Sequence, residues 1–180
     1  MEPVSGREAA ARLTGMISPK HQVHGYAVNL TARQIYSIEP TGQVDFGGTE
    51  YVAAQRMPVA SLRRRPDDKY EWWDLSRGCY AMEFNEGLHL ADDEFAILEP
   101  DERLLRSGAM HSTTFLRGQG ERLETLLIVG PLNVHIKQNA RVSRLRVFRF
   151  GPPAPAAAPS TPGAAGKKAK KAARRKGSRR

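Results

Sequence analysis

The chain has 180 residues, with 28 Lys and Arg against 19 Asp and Glu, a formal charge of +9. Residues 1–150 carry 19 basic and 19 acidic side chains, whereas residues 151–180 carry nine basic residues and no acid. This division excludes a uniformly basic, nucleic-acid-binding body and points to two parts with different jobs.

The neutral part has the length of one domain, about 100–150 residues, enough to bury a core. No apolar run approaches the roughly 18–20 residues of a membrane helix, so no membrane association is expected. The first residues, MEPVSGREAAARL, lack a basic stretch followed by an apolar one, so no signal peptide is expected either. One cysteine, Cys79, excludes a disulfide framework within the chain and fits a reducing cytoplasm. It reads as a packed strand residue rather than a nucleophile, because nothing near it marks a base.

Residues 1–21 read as a helix and a lead-in. The helix is expected over 6–15, with Ser5 as its cap and Glu8 at the third position after it. From about residue 22 to 150 the apolar runs become short and are separated by turn residues. They are Tyr26–Leu30, Gln34–Ile38, Tyr51–Ala54, Cys79–Phe84, Glu94–Leu98, Thr125–Val129, Val134–Ile136 and Leu145–Phe150, with Pro40-Thr-Gly42, Gly47-Gly48 and Asn85-Glu-Gly87 among the turns between them. Many are rich in Val, Ile, Phe and Tyr, the pattern of an all-β sandwich or barrel.

Residues 62–69, LRRRPDDK, place Arg63, Arg64 and Arg65 together. Such a run suits phosphates, but the Pro66-Asp67-Asp68 that follows favours a solvated, self-neutralising loop. Tyr70, Trp72 and Trp73 come next, either as base-stacking aromatics or as the cover of one barrel edge or a subunit contact. Residues 151–166 contain five prolines and many alanines, and residues 167–180, KKAKKAARRKGSRR, hold all nine of the remaining charges. With so little to bury, the tail is expected to be disordered and to act as an electrostatic arm for DNA or RNA without sequence preference.

The five histidines fall in no zinc-like spacing, so no protein-held metal is expected. No nucleophile elbow, phosphate loop or dinucleotide fingerprint is present.

A set of segments in order along the chain resembles one known family. The stretch Asn29–Gly48, NLTARQIYSIEPTGQVDFGG, is similar to the "DLTV…G…DFGG" region of archaeal-type dUTPases in the dCTP deaminase family. Cys79–Leu90, CYAMEFNEGLHL, resembles that family's Asn-Glu strand pair. Leu105-Arg106-Ser107-Gly108-Ala109 resembles the end of "PRSSLLRxGA", and His111-Ser-Thr113-Thr114 resembles "HxTA". Glu124–Val129 and Asn139–Leu145 resemble "E.LLIV…NARIAQL". The resemblance spans about residues 22–150. It implies a distorted jelly-roll barrel, a homotrimer, and a pyrimidine deoxynucleoside triphosphate bound with Mg2+ between subunits. The reaction implied is dUTP to dUMP plus pyrophosphate, or deamination of dCTP. By the same resemblance Glu124 and Arg106 are the catalytic candidates, and Ser107, Gly108, His111, Thr113 and Arg141 the substrate-binding ones.

The departures from the family pattern bear on activity. Asn29 stands where the family has Asp, removing a carboxylate useful near a metal. Pro100-Asp101-Glu102-Arg103 replaces "PRSS", putting acids where a triphosphate would meet them. Leu116–Gly120 shortens the segment that carries an Asp and a Tyr, Arg144 replaces the closing Gln, and no Phe-containing glycine-rich lid follows. Three readings stay open: a divergent enzyme, a catalytically degenerate trimeric scaffold whose tail contacts nucleic acid, and a nucleotide sensor without turnover.

Overall fold

The computed structural model describes residues 1–39 and 41–151. Pro40, which opens the expected Pro40-Thr-Gly42 turn, and residues 152–180 of the tail expected over 151–180 lie outside the described residues. The chain opens with β1 (Glu2–Pro3), α1 (Gly6–Ala10), β2 (Leu13–Thr14), α2 (Pro19–Gln22), β3 (Val23–His24) and β4 (Ala27–Ile38). It continues with β5 (Arg56–Pro58), β6 (Trp72–Leu75), β7 (Gly78–Phe84), β8 (Gly87–His89) and β9 (Glu94–Pro100). The last part holds α3 (Glu102–Arg106), β10 (Ala109–His111), β11 (Thr114–Leu116), β12 (Gln119–Gly120), β13 (Glu124–Val129), β14 (Val134–Lys137) and β15 (Arg141–Arg149).

The expected all-β architecture is present. The main sheet is antiparallel and runs β10-β13-β7-β4-β15-β9-β11. β4 is its hinge. Val28–Thr31 pair with β15, Ala32–Ser37 pair with β7, and a register shift lies between Ala32 and Gln34. A bulge of this kind bends a strand and raises its twist, which lets one sheet curl on itself. The break read between Leu30 and Gln34 is therefore this bulge inside one strand rather than a loop between two. Small ribbons, β12-β8-β2 and β14-β6, close the open sides. The core gathers the inward residues of these strands, including Leu30, Ile35, Trp73, Met82, Phe84, Leu127 and Leu145. Val4 and Ala9 join it, so the lead-in is packed against the sheet.

The capping box at α1 is as expected. The Ser5 hydroxyl accepts from the Glu8 amide, and the Glu8 carboxylate accepts from the Ser5 amide and hydroxyl. The helix is shorter than 6–15, because Leu13 and Thr14 leave it to pair with β8. Three other expectations change. Tyr51–Ala54 forms no strand: Tyr51 and Val52 are exposed, and only a single bridge joins Val52 to Gln43. With no face to bury, the segment's residue types alone do not make a strand. Cys79 lies on β7 as expected but points outward and is exposed, because its neighbours Tyr80 and Met82 alternate with it. Trp73 is fully buried in the core rather than covering an edge.

Candidate functional site

The residues singled out in the sequence fall into two places. The first is a cleft of about 320 Å³ lined by Ile38, Arg56, Ala81, Ser112, Thr114, Glu124, Thr125 and Leu126. Glu124 opens β13, directly across from Glu83 of β7. Two carboxylates so placed repel each other, and Arg56 of β5 offsets this for Glu124. Its guanidinium clasps the carboxylate with both terminal nitrogens, Nη2 to Oε1 at 2.9 Å and Nη1 to Oε2. This two-pronged bond holds the Glu124 carboxyl below the usual carboxylate range and the Arg56 guanidinium above its own. Glu124 is therefore ionised at neutral pH, an acceptor and a base rather than a proton donor. The hydroxyl-bearing Ser112 and Thr114 line the same cleft, and Thr113, the residue named from the sequence, sits exposed between them.

Arg56 was not identified from the sequence. It reaches Glu124 only because β5 pairs with the far end of β4, and the two residues are 68 positions apart. No local pattern encodes that contact.

The second place is the far side of α3. This helix presents two faces, as a period near 3.6 requires. Arg106 and Glu102, four residues apart, pair with each other at 2.5 Å on the solvent side. Arg103 and Ser107, also four apart, line a cavity of about 330 Å³ together with Arg141, Lys137, His135 and Trp72. Arg106 and Ser107 are adjacent in sequence yet do not share that cavity. The donors of Ser107 and Gly108 close the helix. The Ser107 hydroxyl donates to the Arg103 carbonyl at 2.8 Å, and the Gly108 amide donates to the Leu105 carbonyl at 3.1 Å. Gly108 sits at φ +91°, a conformation few side chains accept. Arg141 donates through Nη1 to the His21 carbonyl at 2.6 Å.

The acids that stand in place of the Arg-Ser of the family pattern are occupied. Asp101 is 4% exposed and caps α3 by accepting from the Arg103 amide at 3.0 Å. Its side chain also meets the Arg103 and Arg144 guanidinium groups, at 3.1 and 3.6 Å. These contacts outweigh the cost of burial and hold its carboxyl below the usual range. The replacement of Gln by Arg144 thus has a partner in the replacement that put Asp at 101.

His111 is 1% exposed, with its Nε2 2.7 Å from the Ser143 hydroxyl and its Nδ1 2.9 Å from the Ser112 carbonyl. Burial pushes its pKa below the usual histidine value, which keeps the ring neutral. From the core it braces the turn that carries Ser112 into the cleft. Asn29 is also buried, and its Oδ1 has no hydrogen-bond partner. Nearby, Glu86 is fully buried and accepts from the Gln22 amide at 2.7 Å and from the Thr31 hydroxyl and amide at 2.7 and 2.9 Å. Burial pushes its pKa up against these bonds. Glu86 of the sequence motif is thus a buried polar clamp joining α2, β4 and the turn after β7.

Comparison with known proteins agrees with this architecture. No protein-family model matches the chain. Over 138 residues the chain is 30% identical to a protein of Methanosarcina acetivorans named probable deoxyuridine 5'-triphosphate nucleotidohydrolase, covering 76% of this chain and 77% of that one. The chain belongs to the dUTPase/dCTP deaminase family. A second relative of the same name, from Methanosarcina mazei, is 29% identical over 76% of this chain and 77% of its own. The crystal structure of 2'-deoxycytidine 5'-triphosphate deaminase from Agrobacterium tumefaciens superposes with a TM-score of 0.61 at 13% identity, over 83% of this chain. This chain spans about half the length of that structure, 48%. The structural likeness shows the shared β fold.

Proposed function

We propose that this protein hydrolyses dUTP to dUMP and pyrophosphate at the cleft that holds Glu124. The observation that carries the reading is the Arg56–Glu124 pair, which presents an ionised carboxylate in a cleft that also offers two hydroxyl groups. Hydrolysis of a phosphoanhydride needs a water aimed at phosphorus and its proton removed. The water oxygen bonds to the α-phosphorus, the bond to the bridging oxygen breaks, pyrophosphate leaves, and the carboxylate takes the proton. Glu124 is the base of that step and Arg56 its positioning residue. The names borne by the relatives support dUTP as substrate. dCTP deamination is the alternative reaction, with the same carboxylate moving protons at the base instead of at water.

On one chain neither Arg106 nor Arg141 lines the Glu124 cleft. We infer a homotrimer in which the outward face of β10, β13 and β7 meets a neighbour. Met110, Leu126, Ile128 and Cys79 are exposed together on that face. A symmetric assembly covers such a face and brings Arg106 of one copy toward the cleft of another.

Among the described residues no three His, Cys, Asp or Glu side chains group in a way that holds a metal. Mg2+ would arrive on the triphosphate, since that ion is held largely by substrate phosphates and waters. The nine positive charges of residues 167–180 support non-specific contact with DNA or RNA. No helix among the described residues is long and apolar enough to cross a membrane.

The experiment is turnover of purified protein with dUTP and with dCTP in the presence of Mg2+, reading pyrophosphate, dUMP and deaminated nucleotide. Glu124→Gln, which keeps shape and removes the base, is expected to lower the rate about 100-fold or more. Turnover that survives this substitution contradicts the assignment.

A further inference from the structure

At one end of the main sheet the outward side is not polar, as a solvated sheet face should be. Cross-strand register sets Phe148 of β15 beside Phe95 of β9, and Phe115 of β11 beside Ile97, the next outward residue of β9. Phe95 is the centre of a group of four rings. Its centroid stands 5.3 Å from Phe148, 6.1 Å from Phe115 and 5.0 Å from Phe150, with ring planes 16°, 27° and 33° apart. Its neighbours Ala96 and Leu98 belong to the core, yet Phe95 itself turns away from it and is 5% exposed because the other rings cover it. Phe115 and Phe150 stay open, at 70% and 41% exposed. The proposed reaction uses none of these rings.

This aromatic ledge is held from several sides. β11 pairs with β9 and is the last strand of the sheet on this side. The Phe150 amide donates to the Asp93 carbonyl at 2.8 Å, which fixes the last ring just past the end of β15. The Arg117 guanidinium lies over the Phe150 ring, 5.3 Å from its centre. Arg146 is matched by Glu99 at 2.7 Å, and Arg149 by Glu94 at 3.0 Å and Asp93 at 3.7 Å. Arg117 shares none of these carboxylates. The ledge is therefore nearly neutral, with one spare cation. A dense positive charge lies next to it in the chain. Gly151 follows Phe150 directly, and residues 151–166 tether the nine cations of residues 167–180 to the ledge by at most about 55 Å of chain.

We propose that the ledge is the stacking platform of a site for single-stranded nucleic acid, with residues 167–180 supplying the charge. Proteins that hold single strands combine cations along the backbone with aromatic rings on which bases stack. Here the two components sit on different parts of one chain. In a duplex the base faces are already stacked on each other, so exposed rings select a strand whose bases are free. A Phe ring carries no hydrogen-bonding group, so stacking on it reads no sequence. Two open rings and one spare cation do not hold a polyanion by themselves. The tail's cations alone favour the duplex, which has the higher charge density. The site thus rests on the proposed contact of residues 167–180 with nucleic acid, and adds to it a platform and a preference for single strands. It is distinct from the Glu124 cleft, since none of the four rings lines that cleft.

The test titrates the full chain into a labelled oligo-thymidine strand and into a labelled duplex of equal length, at matched salt, and reads fluorescence anisotropy. Tighter binding of the single strand is expected. Phe115→Ala is expected to weaken single-strand binding about tenfold, the effect of losing one stacked base, and to leave duplex binding unchanged. Phe115→Trp, which keeps a stacking face, should retain the single-strand preference. Phe150→Ala gives the same direction as Phe115→Ala if that variant fails to fold. Equal affinity for strand and duplex, or tighter binding of the duplex, overturns the proposal and leaves the tail's contact with nucleic acid standing. Single-strand affinity unchanged in both Phe115→Ala and Phe150→Ala also overturns it. Binding of neither nucleic acid overturns the platform and the tail's contact together. A smaller species on sedimentation of Phe115→Ala without nucleic acid overturns the proposal as well, since a second copy of the chain then covers the ledge.

Discussion

Replacing Glu94 by Gln removes one charge from a cluster that ties the N-terminal segment to the sheet. The Glu94 side chain is 1% exposed. It accepts from Arg12 twice, at 2.8 and 2.9 Å, from Arg149 at 3.0 Å and from the Ala91 amide at 3.2 Å. The Arg12 bonds above all, with the Ala91 amide and Arg149, lower its pKa from 4.5 to about 2. A depressed carboxylate pKa adds stability above the unfolded value, and that stability is lost as pH falls through the folded value. A drop of this size corresponds to roughly 3 kcal/mol. Both arginines are partly exposed, so solvent screening brings the expected loss for Glu94→Gln to about 2–3 kcal/mol at pH 7. Urea unfolding of the two proteins at several pH values reads it directly. The gap should be widest at neutral pH and close as the pH drops from about 4.5 toward 2. A gap under about 0.5 kcal/mol at pH 7, or one of constant size down to low pH, would show that the cluster does not bear on stability as argued.

Other predictions address the cleft and the chain's ends. Arg56→Gln frees Glu124 from the bond that depresses its pKa, so the acidic limb of the rate profile should move to higher pH; a profile that does not move argues that Arg56 does not position the base. At Gly15, with φ +71°, an added Cβ would stand 2.3 Å from the Asn85 carbonyl oxygen. Gly15→Ala should therefore cost more than about 1 kcal/mol in thermal or urea unfolding, and a neutral effect contradicts the packing described. Removing residues 151–180 takes away all nine excess charges. The proposed DNA binding should then disappear and the proposed trimer should persist on sedimentation; loss of a trimer that the full chain forms places an assembly contact in that segment.

Some of this molecule is legible in its sequence, and the reasons are local. The Ser5–Glu8 capping box, the alternation of β7 and the apolar runs of β9, β13 and β15 each depend on neighbours within a few residues. The hinge in β4 was legible only as an interruption, because a bulge and a turn leave similar marks on an apolar pattern. The family segments located Glu124, whose place at the start of β13 follows from strand alternation. They did not reveal Arg56, which arrives from a short, exposed strand brought in by pairing alone. Nor did they separate Arg106 from Ser107, since helical periodicity over five residues turns neighbours to different faces. The substitutions at Asp101 and Arg144 looked like losses of function one at a time. In the fold they meet each other at the base of α3.

Glu124, held ionised by Arg56, is proposed as the base for dUTP hydrolysis. The most direct measurement is pyrophosphate release from dUTP with Mg2+ by wild type and by Glu124→Gln under matched conditions. Wild type is expected to release dUMP and pyrophosphate in equal amounts, and the variant to be slower by about 100-fold or more. Undiminished release by Glu124→Gln, or no release by either protein, contradicts it.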